Sequence, residues 1–573
     1  MACGERPSAG TVGREGLGMG WLRWPIRATV VAAAVTMDGL VVWSVGPRSS
    51  GGRPVPHGVP SGDQEIVWVH NTTGEETWAL FVLGMKRAEM AAPGSPGGLL
   101  VDETRAFPAK TTAVPELVVS RAGVSGKLRI RWYKVSAGAT LDAWVEALAA
   151  RDPAPLAVIG GATSDRAHEL ALALNREKHW RGDPPLLLIT TATIEKVRPP
   201  NAPDDLHNYP PYSEVRDLLD VYPGRSFRFC FSNAQMVNSV TEFVLQNPTL
   251  HPGPIGWPGL RAVGAGVAGT WATVPDLAQL ACRPTVFPLK WEDDPYSVDL
   301  FDQFREHLFA VLGGHIGPKS GPRIVSDPAF SIPFSVGGFS RMNPGEGAAV
   351  RAILRNLPPP GERSLIIIPS GSNPTRRVLL ALSERVPGAG RRLVAVTGDG
   401  ISVNTFYRDA EWAWSARSIP IPLVFFSHAN PFGWDDPNDP TPPAGARLDP
   451  QTKTTTEEVL LDTTISRAVV DAVLAPAPPG ELARIADSAD VVAARLRARP
   501  DKFFDEHGNR RGQTGEHVVV VRPTTRYGDT TPGTPRPEST IEAYRLAADG
   551  VTWSRVGSVQ VLPEKPDDRT HPD

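Results

Sequence analysis

Six short apolar runs, each leading through a small polar turn into a segment of helical length, constrain the fold most strongly. This alternation predicts parallel β-strands that crossover helices bury on both faces. Open parallel sheets bind ligands beyond the carboxyl ends of their strands, where this chain places Ser, Thr, Asn and Asp residues. The runs are Glu65–His70, Leu128–Tyr133, Pro155–Gly160, Leu186–Ile189, Leu365–Ile368 and Leu393–Val396.

The composition excludes several classes of protein. With 573 residues the chain is long enough for two or three domains. A net charge of −3 gives no electrostatic case for binding nucleic acid. The sequence has no Cys/His cluster with the spacing of a structural zinc site, so we expect no metal and no cofactor.

The amino-terminal 62 residues are expected to lie outside the folded body. The apolar run 28–46 follows Arg14, Arg23 and Arg27, as in a membrane-spanning helix whose amino end is cytoplasmic. Asp38 inside the run would cost about 2.5–3.5 kcal/mol near the helix centre. A cleaved signal peptide and a buried or mis-annotated extension are the alternatives, although Pro47 and the lack of a small-x-small site argue against cleavage. An anchor or a signal would place the body outside the cytoplasm.

The cysteines leave two interpretations open. Only Cys230 and Cys282 lie in the predicted folded part. Outside the cytoplasm they could form one disulfide. Two buried thiols acting as small apolar residues are equally compatible with the sequence.

Two similar α/β halves predict a bilobed protein with a ligand cleft between the lobes and a hinge that closes it. Strand 421–427 is predicted to return the chain to the first lobe. The expected boundaries are 1–62 for the stub, apolar segment and linker, 63–230 for lobe 1, 231–420 for lobe 2 with an insertion at 248–282, 421–500 for the return to lobe 1, and 501–573 for a terminal hairpin and tail in lobe 2.

Six motifs, taken in order, resemble the type I periplasmic binding-protein family, especially its leucine/isoleucine/valine-type amino-acid receptors. The resemblance covers roughly residues 63–562 and implies two Rossmann-like α/β lobes with parallel sheets, joined by a multi-strand hinge. Ser297, where the family commonly has Gly, and the 248–282 insertion depart from the pattern. The motifs are Gly74–Trp78 with Gly84–Ala88, Val158–Ser164 with Ile189–Thr193, Phe227–Asn233, Asp293–Ser297, Thr397–Gly400 and Phe504–Gly508.

The resemblance implies a ligand site that joins both lobes. Hydroxyl groups and helix-start amides would bind a carboxylate, and an acidic group in lobe 2 would accept the ammonium through charge-assisted hydrogen bonds. For each of the implied residues a purely structural role is the alternative, as a helix cap, a turn former or a core side chain. The implied residues are Ser164, Thr191, Ala192 and Thr193 for the first lobe, Asp399 for the ammonium, and Trp78 and Tyr296 for the apolar walls.

These features favour an extracytoplasmic binding protein that delivers an amino acid or related metabolite to an ABC-type permease. The alternative is a sensory ectodomain that acts through a membrane partner. An enzyme is a weaker hypothesis, because the sequence offers no nucleophile–base pair or metal cluster. His428, at the end of a predicted strand, is the one histidine that stands out, and a single histidine more often serves structure.

Overall fold

The computed structural model describes fifteen stretches of the chain, all inside the compact unit Pro54–Asp573. They are 54–71, 75–90, 98–110, 112–135, 140–161, 163–197, 216–255, 284–313, 322–333, 342–403, 420–432, 456–476, 482–512, 516–523 and 539–561. The predicted apolar segment 28–46, Cys282 and most of the 248–282 insertion lie outside these residues. The anchor and the disulfide therefore stay predictions. No helix in the described stretches has the length and apolar character needed to cross a membrane.

The described stretches contain ten α-helices. They are α1 (Glu75–Met90), α2 (Leu141–Ala149), α3 (Ser164–Arg176), α4 (Asn233–Gln246), α5 (Pro295–Gly313), α6 (Pro344–Asn356), α7 (Ser372–Arg385), α8 (Ala389–Arg392), α9 (Thr456–Val473) and α10 (Ala489–Arg497).

The strands include short pairs that the sequence did not indicate. They are β1 (Gln64–Asn71), β2 (Leu99–Asp102), β3 (Glu116–Arg121), β4 (Val124–Ser125), β5 (Leu128–Val135), β6 (Ala157–Gly160), β7 (Leu186–Ile189), β8 (Lys196–Val197), β9 (Arg216–Asp217), β10 (Ser226–Arg228), β11 (Gly253–Pro254), β12 (Thr285–Pro288), β13 (Lys290–Trp291), β14 (Arg323–Ile324), β15 (Ser331–Ile332), β16 (Glu362–Ile367), β17 (Leu393–Val396), β18 (Leu423–Ser427), β19 (Ala483–Arg484), β20 (His517–Pro523), β21 (Ser539–Leu546) and β22 (Trp553–Val561).

Two mainly parallel sheets form an α/β fold. The first has the order β10-β7-β6-β1-β5-β3-β2, with β3 and β2 antiparallel. The second runs β14-β12-β16-β17-β18-β20-β21-β22, with its last three strands antiparallel. Within each sheet the parallel strands follow the same spatial order when numbered along the chain, 2-1-3-4-5. The two sheets therefore repeat one topology, and we call the first sheet with its helices lobe 1 and the second lobe 2.

Burial on both faces explains why the parallel strands are apolar throughout. In β1, Ile66 and Trp68 belong to one core cluster, and Val67 belongs to the cluster on the opposite face. In β16, Leu365 and Ile366 divide in the same way between the two cores of lobe 2. Successive side chains of a strand point to opposite faces, so a sheet covered by helices on both sides needs continuous apolar runs.

One predicted element belongs to the other lobe. The strand 421–427 was expected to return to lobe 1, but β18 pairs parallel with β17 and antiparallel with β20, both in lobe 2. The return to lobe 1 comes with α9 and α10, whose apolar faces pack in the core formed with β1 and β5. The apolar composition of a strand predicts that the strand is buried, but it does not predict which sheet the strand joins.

Candidate functional site

A cavity of about 90 Å³ lies at the carboxyl edge of the lobe 1 sheet. It sits between the ends of β1 and β6, the neighbouring strands at which the chain order of this sheet reverses. Ligands of open α/β sheets bind at such switch points. The lining residues all belong to lobe 1 and are Val69, His70, Val135, Leu141, Gly161, Thr163, Arg166 and Leu170.

The tight turn from β6 into α3 brings a helix start to this cavity. Gly161 has a φ of +77°, and a Cβ atom there would lie 2.7 Å from the Cβ of Ala167. Only glycine fits this left-handed conformation and close approach. The turn is therefore built to place the first turn of α3 against the end of β1.

The amino end of α3 combines the positive end of the helix dipole with the carboxylate of Asp165 in its first turn. Thr163 occupies the N-cap position but makes no side-chain capping bond, and its hydroxyl donates to Asp165 Oδ1 at 2.5 Å. Uncapped amides and the helix dipole both favour an anion. Arg166 lines the same cavity and pairs with Glu169 at 2.7 Å on a half-exposed surface. These groups suit the carboxylate of a small solute.

The predicted first-lobe contacts lie elsewhere. Ser164 is the first helical residue, and Thr163 takes the cap position expected for Ser164. Thr193 is 1% exposed, and its carbonyl oxygen accepts the amide of Asn233 at 2.8 Å. The carbonyl oxygen of Ala192 accepts the Cys230 thiol at 3.3 Å. Together with half-buried Thr191, these residues pack along the passage between the lobes, outside the lining of the cavity.

Trp78 is a core residue and does not wall the cavity. Its side chain is fully buried, its ring stacks on Trp68 with centroids 5.2 Å apart, and its indole nitrogen donates to Ala106 O at 2.9 Å. The helix α1 packs this ring against the sheet. The ligand-facing role expected for Trp78 is therefore not what the structure shows.

The second-lobe residues Tyr296 and Asp399 do meet, together with His428. His428 Nε2 lies 2.9 Å from Asp399 Oδ2, and the amide of Gly400 donates to the Tyr296 hydroxyl at 3.1 Å. Burial raises the pKa of Tyr296 well above its ordinary value, and the charge of Asp399 raises it further. A Cβ atom at Gly398 would lie 2.5 Å from the Tyr296 hydroxyl, so glycine permits this contact.

This group of residues lies near a contact between the two lobes. Helix α3 of lobe 1 contacts α5 of lobe 2, which begins beside Tyr296. Asp294, two residues before Tyr296, has its pKa raised first by burial, and the charge of Asp165 on α3 also raises it. The start of α5, beside the Asp399 group, therefore lies close to α3 of lobe 1.

A second polar cluster, which the sequence did not indicate, joins the lobes. Asp299 on α5 accepts the Glu195 amide at 3.0 Å and Asn233 Nδ2 at 2.7 Å. Burial raises the pKa of Asp299 to about 6. The Ser232 hydroxyl also donates to the Glu195 carboxylate. These bonds connect the loop after β7 in lobe 1 to the starts of α4 and α5 in lobe 2.

The described part of the chain holds no group of three or more His, Cys, Asp or Glu side chains arranged to bind a metal ion. Cys230 is fully buried, and burial raises the pKa of its thiol to about 12, so it is not a reactive thiolate.

Comparisons with known proteins give structural neighbours only. No model of a protein family and no curated protein matches the sequence. An ABC transporter substrate-binding protein from Desulfitobacterium hafniense is similar with 12% identity and a TM-score of 0.40, over 82% of this chain and 98% of that chain. The leucine-, isoleucine-, valine-, threonine- and alanine-binding protein from Brucella ovis, in a closed conformation, is similar with 11% identity and a TM-score of 0.44, over 87% and 97%.

Proposed function

We propose that this chain is a binding protein that encloses a small carboxylate-bearing solute, an amino acid or related metabolite, between its two lobes. It acts outside the cytoplasm and presents the solute to an ABC-type membrane transporter. The observation that carries this proposal is the lobe 1 cavity at the strand-order switch point, where the uncapped start of α3, Thr163 and Arg166 meet four aliphatic side chains.

The size and lining of the cavity fit a short solute. A volume of about 90 Å³ admits a handful of heavy atoms. Val69, Val135, Leu141 and Leu170 supply an apolar wall, and the polar groups gather at the helix start. Ligand pockets combine a mostly apolar wall with a few polar groups that fix orientation.

The three chain passages between the lobes supply the hinge that closure requires. They run from β10 to α4, from β18 to α9 and from α10 to β20. The first and third are joined by a bridge between Arg228 and Asn509, with the Arg228 amide donating to Gly508 O at 2.9 Å. Hinges of this kind concentrate the backbone change in a few connecting residues.

A thermal-shift screen of small carboxylates, amino acids and amides tests the proposal. A ligand that binds only the native state raises the melting temperature according to RT ln(1 + [L]/Kd). We expect at least one small carboxylate to raise it in the intact protein. If no compound in the panel shifts the melting temperature at millimolar concentration, the proposal is wrong.

Replacing Val135 with Phe places four additional carbon atoms in the cavity wall and should abolish the shift. Val124 is a partly buried valine on β4, away from the cavity, and Val124→Phe is the matched control. Loss of the shift in both variants, or in neither, would contradict a site at this cavity.

A further inference from the structure

Thr163 lines the lobe 1 cavity with a hydroxyl whose one hydrogen is already committed. The side chain makes no capping bond to the start of α3, and the hydroxyl donates to Asp165 Oδ1 at 2.5 Å. An ionised carboxylate only accepts hydrogen bonds, so the direction of this bond is fixed. No other hydrogen bond of this hydroxyl occurs in the described part of the chain. Thr163 Oγ1 can therefore only accept a hydrogen bond from a ligand.

Arg166 supplies groups of the opposite polarity at the same cavity. Its guanidinium has five N–H donors, and in the stretches that the structure describes only Nη1 is bonded, to Glu169 at 2.7 Å. The remaining donors and the positive end of the α3 dipole suit a carboxylate. Thr163 and Arg166 are both exposed and thus accessible to a ligand. The cavity therefore offers an acceptor and several donors within one helical turn.

The size of the cavity limits how far apart the polar groups of its ligand can be. A volume of about 90 Å³ admits only a handful of heavy atoms, and most of the lining is aliphatic. A solute that reaches both Thr163 and Arg166 must carry its polar groups on neighbouring atoms. His70, half-buried near the end of β1, is the third lining residue with a polar side chain.

We propose that Thr163 is a specificity-determining residue: its hydroxyl oxygen accepts a hydrogen bond from the ligand, so the site selects small carboxylic acids with a hydroxyl or ammonium group on the carbon next to the carboxylate. This inference rests on the proposed function and narrows its ligand class. The carboxylate binds Arg166 and the start of α3, and the alkyl group lies against the aliphatic wall. Asp165 is a positioning residue, because it holds the Thr163 hydrogen away from the ligand.

Two series of matched ligands test the inference in the intact protein by calorimetric titration at pH 7.5. Propanoate is compared with 2-hydroxypropanoate and alanine, and 3-methylbutanoate with 2-hydroxy-3-methylbutanoate and valine. A site that bonds a ligand donor rejects the analogue that lacks it. We expect at least one donor-bearing member of a series to bind at least tenfold tighter than the unsubstituted acid, and the tighter one identifies the donor as hydroxyl or ammonium.

The result that overturns the inference differs from the result that overturns the proposed function. If the unsubstituted acids bind as tightly as the others, Thr163 does not select the ligand, and the proposed function still stands. If no member of either series binds, the inference is wrong. The proposed function fails as well only when the thermal-shift screen also yields no ligand.

Variants of Thr163 assign the preference to its hydroxyl. Thr163→Val removes the acceptor without breaking a capping bond, and the preference for the donor-bearing ligand should fall at least tenfold, whereas Thr163→Ser should retain it. Thr104→Val is the matched control, because Thr104 also donates to a nearby carboxylate, Asp102 Oδ1 at 2.7 Å, at an exposed position outside the cavity lining. An unchanged preference in Thr163→Val, or an equal loss in Thr104→Val, would overturn the inference.

Two further variants separate Thr163 from its neighbours. Asp165→Asn keeps an oxygen that accepts the Thr163 hydroxyl and removes the charge, so the affinity for an amino acid should fall more than the affinity for the hydroxy acid. His70→Phe should change the affinities within a series by the same factor. If His70→Phe abolished the preference and Thr163→Val did not, the ligand donor would bind His70 and the inference would be wrong. The comparison of ligands in the wild type decides the matter if a variant fails to fold.

Discussion

Asp299 shows at the scale of one residue how burial couples folding to pH. Its native pKa of about 6 lies above the ordinary value of 3.8, so the native state binds this proton more tightly than the unfolded chain. The stabilisation from this group is present below about pH 4 and is lost as the pH rises through about 6.

Asp299→Asn should remove this pH dependence. The asparagine side chain keeps a carbonyl oxygen that accepts the backbone N–H of Glu195, and it carries no charge. Between pH 4 and pH 7 the free energy of unfolding of the wild type should fall by about 2 kcal/mol relative to the variant. Urea denaturation at several pH values measures the difference. If the free energies of unfolding of the wild type and of Asp299→Asn changed with pH in parallel, the assignment would be wrong. Asp220→Asn, at an exposed position, is the control.

Trp78 allows a second test at this scale. Trp78→Phe removes the indole bond to Ala106 O and part of a fully buried ring, and should cost about 1–3 kcal/mol of unfolding free energy. Ligand affinity should be unchanged, because the ring lies outside the cavity lining. Trp180→Phe, at a half-buried position, is the control for tryptophan loss. A large drop in affinity with normal stability would restore the predicted ligand-facing role.

Single residues were harder to place from sequence than the strands that carry them. The rule that polar groups after parallel strands form sites pointed to Ser164 and Thr193, and the cavity is lined instead by Thr163 and Arg166. A sequence shows which loop lies at the sheet edge. The direction of each side chain depends on the turn, here on the left-handed Gly161.

At the scale of elements, the junction between β6 and α3 is the part of the site most sensitive to backbone change. Gly161→Ala should cost about 1–3 kcal/mol, because the residue has a positive φ and its new methyl group meets Ala167. The displaced helix start should also weaken ligand binding at least tenfold. Gly58→Ala, where a Cβ atom would meet nothing within 4 Å, is the control. Unchanged denaturation and titration curves would refute this account of the turn.

Elements were predictable where a strand and its crossover helix form one repeating unit. Helix α4 begins at Asn233 because Ser232 and Gln235 form a capping box, and it ends at Gln246. The sequence did not reveal β2 and β3, which extend lobe 1 as antiparallel edge strands without a crossover helix. In β2, buried Leu99 alternates with exposed Leu100, a pattern too short to separate from a loop.

At the scale of the whole molecule, the repeated 2-1-3-4-5 order makes each lobe a complete α/β unit, and polar bonds join the two lobes. The sequence predicted two such units because strand and helix patterns recur along the chain. It did not place β18 correctly, because a buried strand has the same composition in either sheet.

The central claim, that a small carboxylate binds in the lobe 1 cavity, is tested most directly by calorimetric titration of wild type, Val135→Phe and Val124→Phe with the best compound from the screen. We predict one site per chain in the wild type and in Val124→Phe, with affinity reduced at least a hundredfold in Val135→Phe. Equal affinity in all three proteins, with Val135→Phe as stable as the wild type, would contradict the claim.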